Sequence, residues 1–340
     1  MSWPGRRPAG NWPLLVALVV AGLAVGAACA SPSAGSGTAG STATPADPPV
    51  PRFRFGVAIG RAGPQRLAEL EAEAGATVGM VRVFARWDTE FPTADHQRLL
   101  DDGRVIHLSV RPRTEAGEVI PWQDLARVEP TSAQRRLDQW TKIVAGYGRQ
   151  VYFTLNHEPE TADSAANGTA AEFIAAWRRT VTLLRQNGGA EVRTVFVLGQ
   201  GAYADGTAES WYPGDDVVDV IGADPYNWYR CQGTDRAWAA PDDLIRFPLA
   251  FARQRGKPLA LPEIASTEDP EDPGRKAAWI EELAALLASP GVVEHLEFVV
   301  WFSGDDPRWP DCRWSYDSSP RSAAAFSGML ARFEPPTGGA

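Results

Sequence analysis

Thr154-Leu155-Asn156-His157-Glu158-Pro159 and Leu259-Ala260-Leu261-Pro262-Glu263-Ile264 are two apolar runs that each lead into a glutamate, roughly a hundred residues apart. An extended apolar run reads as a strand buried on both faces, so a carboxylate at its end stands at the mouth of whatever the strands enclose. Taken singly, each glutamate reads more readily as a strand-end residue in an ordinary salt bridge. The pattern along the rest of the chain decides between the two.

Eight apolar, β-branched-rich runs recur: Arg54–Ile59, Met80–Phe84, Val105–Val110, Val151–Leu155, Thr194–Leu198, Val217–Gly222, Pro258–Leu261 and Leu296–Trp301. Between them lie segments of helical periodicity, at Pro64–Ala74, Ala94–Asp101, Ala133–Tyr147, Ala170–Gln186, Pro241–Arg255 and Arg275–Ala288, and a closing helix is expected over Pro320–Arg332. Gly103, Gly146, Gly148, Gly188-Gly189 and Gly256 supply helix stops. The least regular connection is the fifth, where Tyr203–Gly214 offers only a short helical pattern. Strands alternating with helices in this way predict an α/β fold, a single (β/α)8 TIM barrel. An open doubly wound sheet is the alternative, but Gly56-Val57-Ala58-Ile59-Gly60-Arg61 lacks the Gly-rich phosphate-binding turn such a sheet would carry. In a barrel, catalytic groups come from the C-terminal strand ends, and both glutamates fall there, on the fourth and seventh strands.

The barrel domain is expected over residues 52–335. Before it, residues 1–29 form a lipoprotein-type signal: Arg6 and Arg7 are a positive start, Trp12 to Ala28 is uncharged and apolar, and Cys29 follows small residues. Gly26 stands where such signals usually carry Leu, so an uncleaved anchor or ordinary secretion is also open. All three readings export the chain, either as a cell-surface lipoprotein or as a secreted protein. Residues 30–51 are Ser/Gly/Pro-rich and read as a disordered tether, and 336–340 as a tail. The net charge of −9, near −11 once Arg6 and Arg7 are removed with the signal, argues against nucleic acid or an anionic membrane surface as partner. Any membrane contact would run through the N-terminal lipid.

If Cys29 is lipidated, Cys231 and Cys312 remain as an even pair in an oxidising compartment, and a disulfide between them is expected. The four histidines are scattered without zinc-ligand spacing, so neither metal nor cofactor is expected. A retaining glycosidase needs one protonated carboxylic acid beside the leaving oxygen and one ionised carboxylate beneath the anomeric carbon, about 5–5.5 Å apart. Strands four and seven lie on opposing arcs of a barrel mouth, from which two side chains can converge on one sugar. Arg82, Arg86 and Arg111, near the ends of strands two and three, are candidate donors to the nucleophile, and barrel-mouth salt bridges are their plainer role. Glu160 competes with Glu158 for the acid role but falls beyond Pro159, so Glu158 is preferred. Asp224 is a further mouth carboxylate, and His107, inside strand three, reads as a hydrogen-bonded core histidine. Of the tryptophans, Trp87, Trp122, Trp211, Trp228, Trp238, Trp301, Trp309 and Trp314 follow or end strands, where flat rings can stack on sugar. Most are expected to be packing residues. Trp228 and Trp301 are the exceptions, because they sit at strand ends beside the glutamates.

His157-Glu158 ending strand four, Glu263 ending strand seven, an aromatic after strand six and a tryptophan ending strand eight together resemble glycoside hydrolase family 26, retaining (β/α)8 glycosidases best known for β-mannanases. The ending Trp301-Phe302 … Cys312-Arg313-Trp314-Ser315-Tyr316-Asp317-Ser318-Ser319-Pro320 also looks like exported actinobacterial proteins of that type. The resemblance implies Glu158 as acid/base and Glu263 as nucleophile. It further implies that His157 orients the acid or touches the sugar, and that Tyr226, in Ala223-Asp224-Pro225-Tyr226-Asn227-Trp228, holds the nucleophile. Ala265 departs from the Gly often found two residues after the nucleophile, which bears on the sugar more than on the reaction. The expectation is an O-glycosyl hydrolase, monomeric, acting on a β-linked polysaccharide with mannan the first guess. A non-catalytic surface carbohydrate-binding protein on the same barrel is the alternative. The chain also lacks the G-x-S-x-G elbow of another hydrolase class.

Overall fold

The computed structural model describes residues 53–58, 63–233, 235–305 and 310–334. The signal-like segment with Cys29, the tether, Trp309 and the C-terminal tail lie outside the described residues. Nine strands are present in chain order: β1 Arg54–Ala58, β2 Met80–Arg86, β3 Val105–Arg111, β4 Val151–Leu155, β5 Val192–Gly199, β6 Val220–Asp224, β7 Tyr226–Asn227, β8 Leu259–Ser266 and β9 Leu296–Phe302. Each of β1 to β5 pairs in parallel with the next, β1 also pairs with β9, β9 with β8, and β8 with β6. The sheet therefore closes on itself with eight staves, and the two-residue β7 is an addition on the edge of β8. The predicted (β/α)8 barrel is what the chain forms. The irregular fifth connection holds two short helices, Gln200–Ala204 and Ala208–Trp211.

Strand alternation divides the core into two layers. Ala58, Met80, Val105, Tyr152, Val195, Val197, Val220, Ala260, Phe298 and Val300 fill the barrel interior. Their odd-stepped neighbours, such as Phe55, Val83, Phe153, Phe196, Ile221, Val299 and Trp301, pack outward with the helices. Two polar side chains inside the barrel pair with each other. His107 Nε2 lies 2.8 Å from Thr154 Oγ, and the Thr154 hydroxyl lies 2.7 Å from the Val195 carbonyl oxygen it donates to. Burial, then the nearby Arg82, lowers the His107 pKa well below the usual histidine range, so it sits there as a neutral core residue, as expected.

Close approach of two backbones fixes one residue type. A Cβ on Gly56 in β1 would stand 2.5 Å from the Met80 carbonyl oxygen of β2, a backbone atom that cannot swing aside. Replacing Gly by Ala ordinarily stabilises by restricting the unfolded chain. Gly56→Ala is instead expected to cost about 2 kcal/mol and to lower Tm by roughly 4–8 °C in scanning calorimetry.

Candidate active site

Glu263 is aimed by an irregularity in β8. Leu261 is in register with Val299, and Ile264 with Trp301, so three steps along β8 match two along β9. This bulge changes the alternation. Ile264 turns outward beside Trp301, and the carboxylate of Glu263, rather than Pro262 or Ile264, faces the barrel mouth. Pro262 lacks an N–H, which suits a place where the ladder is interrupted. There Arg82 Nη1 lies 3.1 Å from Glu263 Oε1 and 3.1 Å from Asp224 Oδ1. The Arg82 and Asp224 side chains are fully buried, and that of Glu263 is 10% exposed. On its other oxygen Glu263 accepts the Tyr226 hydroxyl. Tyr226 is placed for this because β7 pairs it with Ala265, two residues from the carboxylate. Burial and then Glu263 raise the Tyr226 pKa well above the usual tyrosine range, so the phenol keeps its proton and donates.

Glu158 is positioned by backbone strain. Asn156 and Glu158 adopt φ of 51° and 50°, left-handed values that cost a non-glycine residue about 1–2 kcal/mol. The contortion is held on three sides. Asn156 N donates to Val110 O at 2.8 Å, and Glu158 N to Val197 O at 3.0 Å. Asn156 Nδ2 donates to His157 O and to Ser164 Oγ, both at 3.0 Å. Between the two strained residues, His157 Nδ1 lies 2.7 Å from Ser109 Oγ. Burial, then Arg82, Arg111 and Arg86, holds the His157 imidazole neutral.

The Glu158 carboxyl is pushed up to about 8, first by burial, then by the charges of Glu263 and Glu160. It is therefore protonated at neutral pH. Glu160 does not take its place: its Oε1 accepts the Gly199 N–H at 2.6 Å, anchoring it to the tip of β5. It stays close to the acid all the same. A Cβ on Gly199 would lie 3.2 Å from Glu160 Oε1 and 3.5 Å from Glu158 Oε1.

Aromatic rings form the rim. Trp314 packs 4.8 Å from Tyr226 and 5.1 Å from Trp228, centroid to centroid. The Cys231–Cys312 disulfide, with Cα atoms 4.9 Å apart, ties together the loops that carry Trp228 and Trp314. Buried Lys276 anchors the same loop, donating from Nζ to Arg313 O at 2.8 Å, Ser315 O at 2.7 Å and Ser318 Oγ at 2.8 Å.

The structure corrects the expected site in two places. Trp301 is fully buried, 6.1 Å from Trp279 and 5.5 Å from Phe326 on the surrounding helices, so it cannot stack on a sugar. Its inward neighbour Phe302 takes the mouth position, 5.9 Å from Tyr226 and 6.5 Å from Phe84. Phe84 was missed as well; it is 38% exposed although it lies within β2, because its side of the strand opens into the mouth. Counting by twos from Arg82, or from Phe298, would have found both rings. Second, of the three candidate arginines only Arg82 reaches Glu263. As expected of most of these tryptophans, Trp87 and Trp122 are core residues; Trp211 packs on Trp122 and Phe173, and Trp238 lies under Arg275.

No protein-family model matches the chain. Solved structures align with it over most of its length. A glycoside hydrolase family 26 endo-β-1,4-mannanase from Cellulomonas fimi has TM-score 0.60 and 18% identity over 83% of this chain and 71% of the other. The catalytic domain of a family-26 endo-β-1,4-mannanase from Bacillus sp. JAMB-750 has TM-score 0.59 and 17% identity over 83% and 86%. A family-26 β-mannanase from Bacteroides ovatus has 0.57 and 18% over 82% and 88%. The chain shares the fold of the family-26 mannanases. Endoglucanase H of Acetivibrio thermocellus is 25% identical over 265 residues, 74% of this chain. The chain spans about a quarter, 27%, of that relative's length.

Two outcomes follow from the geometry on this family-26 fold. The folded Glu158 carboxyl holds its proton to about pH 8, whereas in the unfolded chain it loses it near 4.5. Stability therefore falls as pH rises through that window. Glu158→Gln should be more stable than the parent by about 1–2 kcal/mol at pH 8 and no more stable at pH 4, measured by urea titration. Replacing both Cys231 and Cys312 by Ser, which opens a loop of 81 residues, should cost about 4 kcal/mol and increase tryptophan solvent exposure at the rim, read by fluorescence quenching.

Proposed function

We propose that the chain is a retaining β-glycoside hydrolase acting on a β-linked polysaccharide, with a mannan-type chain the first candidate. The observation that carries this is the contrast between the two carboxyls at one barrel mouth. Glu158 is half-buried and kept protonated, while Glu263 faces a guanidinium and accepts a phenolic hydrogen bond. That contrast is the division of labour retention requires. Glu263 attacks the anomeric carbon while Glu158 gives its proton to the departing glycosidic oxygen. The glycosyl–enzyme ester is then opened by a water whose proton returns to Glu158, now the base. Tyr226 and Arg82 keep the Glu263 carboxylate oriented and stabilise its negative charge when the ester breaks. Phe84, Phe302 and Trp228 offer the ring faces and edges against which sugar C–H groups pack, with buried Trp314 supporting Trp228 from behind. The family-26 mannanases of the same fold and the similarity to an endoglucanase support a β-linked substrate. The inferred site is outside the cytoplasm, on a chain tethered through a lipidated Cys29 or secreted. The signal-like start and the Cys231–Cys312 bond support that placement.

The test uses an activated aryl β-glycoside and a panel of mannan, glucomannan, mixed-linkage glucan, xylan and arabinogalactan. Glu263→Ala should lower kcat/KM by about 10⁴ or more, and Glu158→Ala by about 10²–10⁴. Activity of the parent should fall as pH rises through about 8, where Glu158 loses its proton. Proton NMR should show the first product with retained anomeric configuration. Inversion would remove Glu263 as nucleophile, and binding without hydrolysis across the panel would favour a carbohydrate-binding protein.

A further inference from the structure

Arg86 and Arg111 take no part in the network around Glu263. They are register partners at the ends of adjacent strands, two steps beyond Phe84 and Ser109 on the inward face, so both stand at the mouth. Arg113 follows on the same side, its Nη2 donating to Asp163 O at 3.2 Å. Like charges brought together in this way are unfavourable unless something negative answers them. Among the described residues, the one carboxylate within ion-pair distance of the three is Asp163, 3.8 Å from Arg111 and 85% exposed. An exposed pair at that distance contributes little. The Arg86 guanidinium has no acceptor among the described residues, and Arg111 Nε is buried without one. Burial, and then Arg86 and Arg113 against the opposing Asp163, lowers the Arg111 pKa, and the guanidinium stays charged at that cost. The neutral His157 is in the same group, and Phe84, 5.4 Å from its ring, presents an exposed apolar surface. All this occurs in a chain of net charge −9, so the cationic cluster runs against the overall balance.

We propose that Arg86 and Arg111, flanked by His157 and Phe84, form a subsite for a carboxylate-bearing sugar, a uronic acid unit of the polysaccharide. Planar guanidinium forks match a carboxylate in two-pronged geometry, and Phe84 takes the apolar face of the sugar ring. Arg113 adds to the positive field. As a statement of substrate class this rests on the glycosidase reading, but the binding itself can be measured without turnover.

The probes are glucuronate, glucose and glucose 6-sulfate, titrated into the intact protein and followed by ligand-observed NMR. Glucuronate should bind at least about tenfold more tightly than glucose, and the margin should shrink between about 20 and 300 mM salt. Arg86→Gln and Arg111→Gln should each reduce the preference, and the double variant should remove it. Among the described residues the Arg86 guanidinium has no partner to lose, so its single variant removes the charge without breaking a described contact. Equal binding of glucuronate and glucose, a preference that survives both substitutions, or tighter binding of glucose 6-sulfate would each overturn the proposal. Hydrolysis of neutral polysaccharides alongside equal binding would remove this subsite and leave the glycosidase. Glucuronate preference without hydrolysis of any glycan would do the reverse.

Discussion

A single buried cation organises the mouth of this barrel. Arg82 is completely enclosed, and taking a guanidinium out of water costs several kcal/mol unless opposing charge is close. Asp224 and Glu263, each 3.1 Å from the same nitrogen, supply that charge from β6 and β8. β2 is thus held electrostatically to the opposite side of the barrel. Removing Arg82 would leave Asp224 and Glu263 together in the interior with no cation between them, so the guanidinium specifies where Glu263 can be. Burial first, and then the negative charge of Glu263, keeps the proton on Glu158. The same carboxylate that Arg82 holds in place thus adds to what separates the two glutamates.

Backbone geometry does the aiming. On β8 an extra residue flips the alternation so that a glutamate, not its neighbours, turns into the mouth. After β4 two left-handed residues bend the chain around His157. Such conformations persist only where surrounding contacts overdetermine them, and here hydrogen bonds to Val110, Val197 and Ser164 do so. The strain is local to the acid. The rigid staves beneath it, with Tyr152, Val195, Val197 and Phe298 packed in the interior, provide the support.

The aromatic rim is built differently, by covalent and polar anchoring of loops. Loops are the least constrained parts of a barrel, and their rings could face water or core with similar ease. The Cys231–Cys312 bond and the three donors of Lys276 fix the segment carrying Trp314 against the one carrying Tyr226 and Trp228. Tyr226 is thereby held on one side by the pairing of β7 with β8 and on the other by Trp314. A loop device thus steadies the hydroxyl that reaches Glu263.

The barrel itself was legible in the amino-acid sequence, because eight apolar runs spaced by helical periodicity have few other ways to bury themselves. The tips that carry Glu158 and Glu263 were legible for the same reason, as was His107 as a core residue. What the sequence could not reveal was direction. Trp301 and Phe302 are adjacent and equally apolar, and only alternation counted from a known inward residue tells that the second faces the cleft. For Glu263 even that count fails, since the bulge shifts it by one. Arg82, Arg86 and Arg111 look alike as strand-end cations, and their separation into one buried partner of Glu263 and two guanidiniums apart from it depends on depth in the barrel. Local sequence determined which residues form strands and which carboxylates stand at their ends. The closed sheet, by fixing depth, parity and neighbouring charge, decided which of those groups meet.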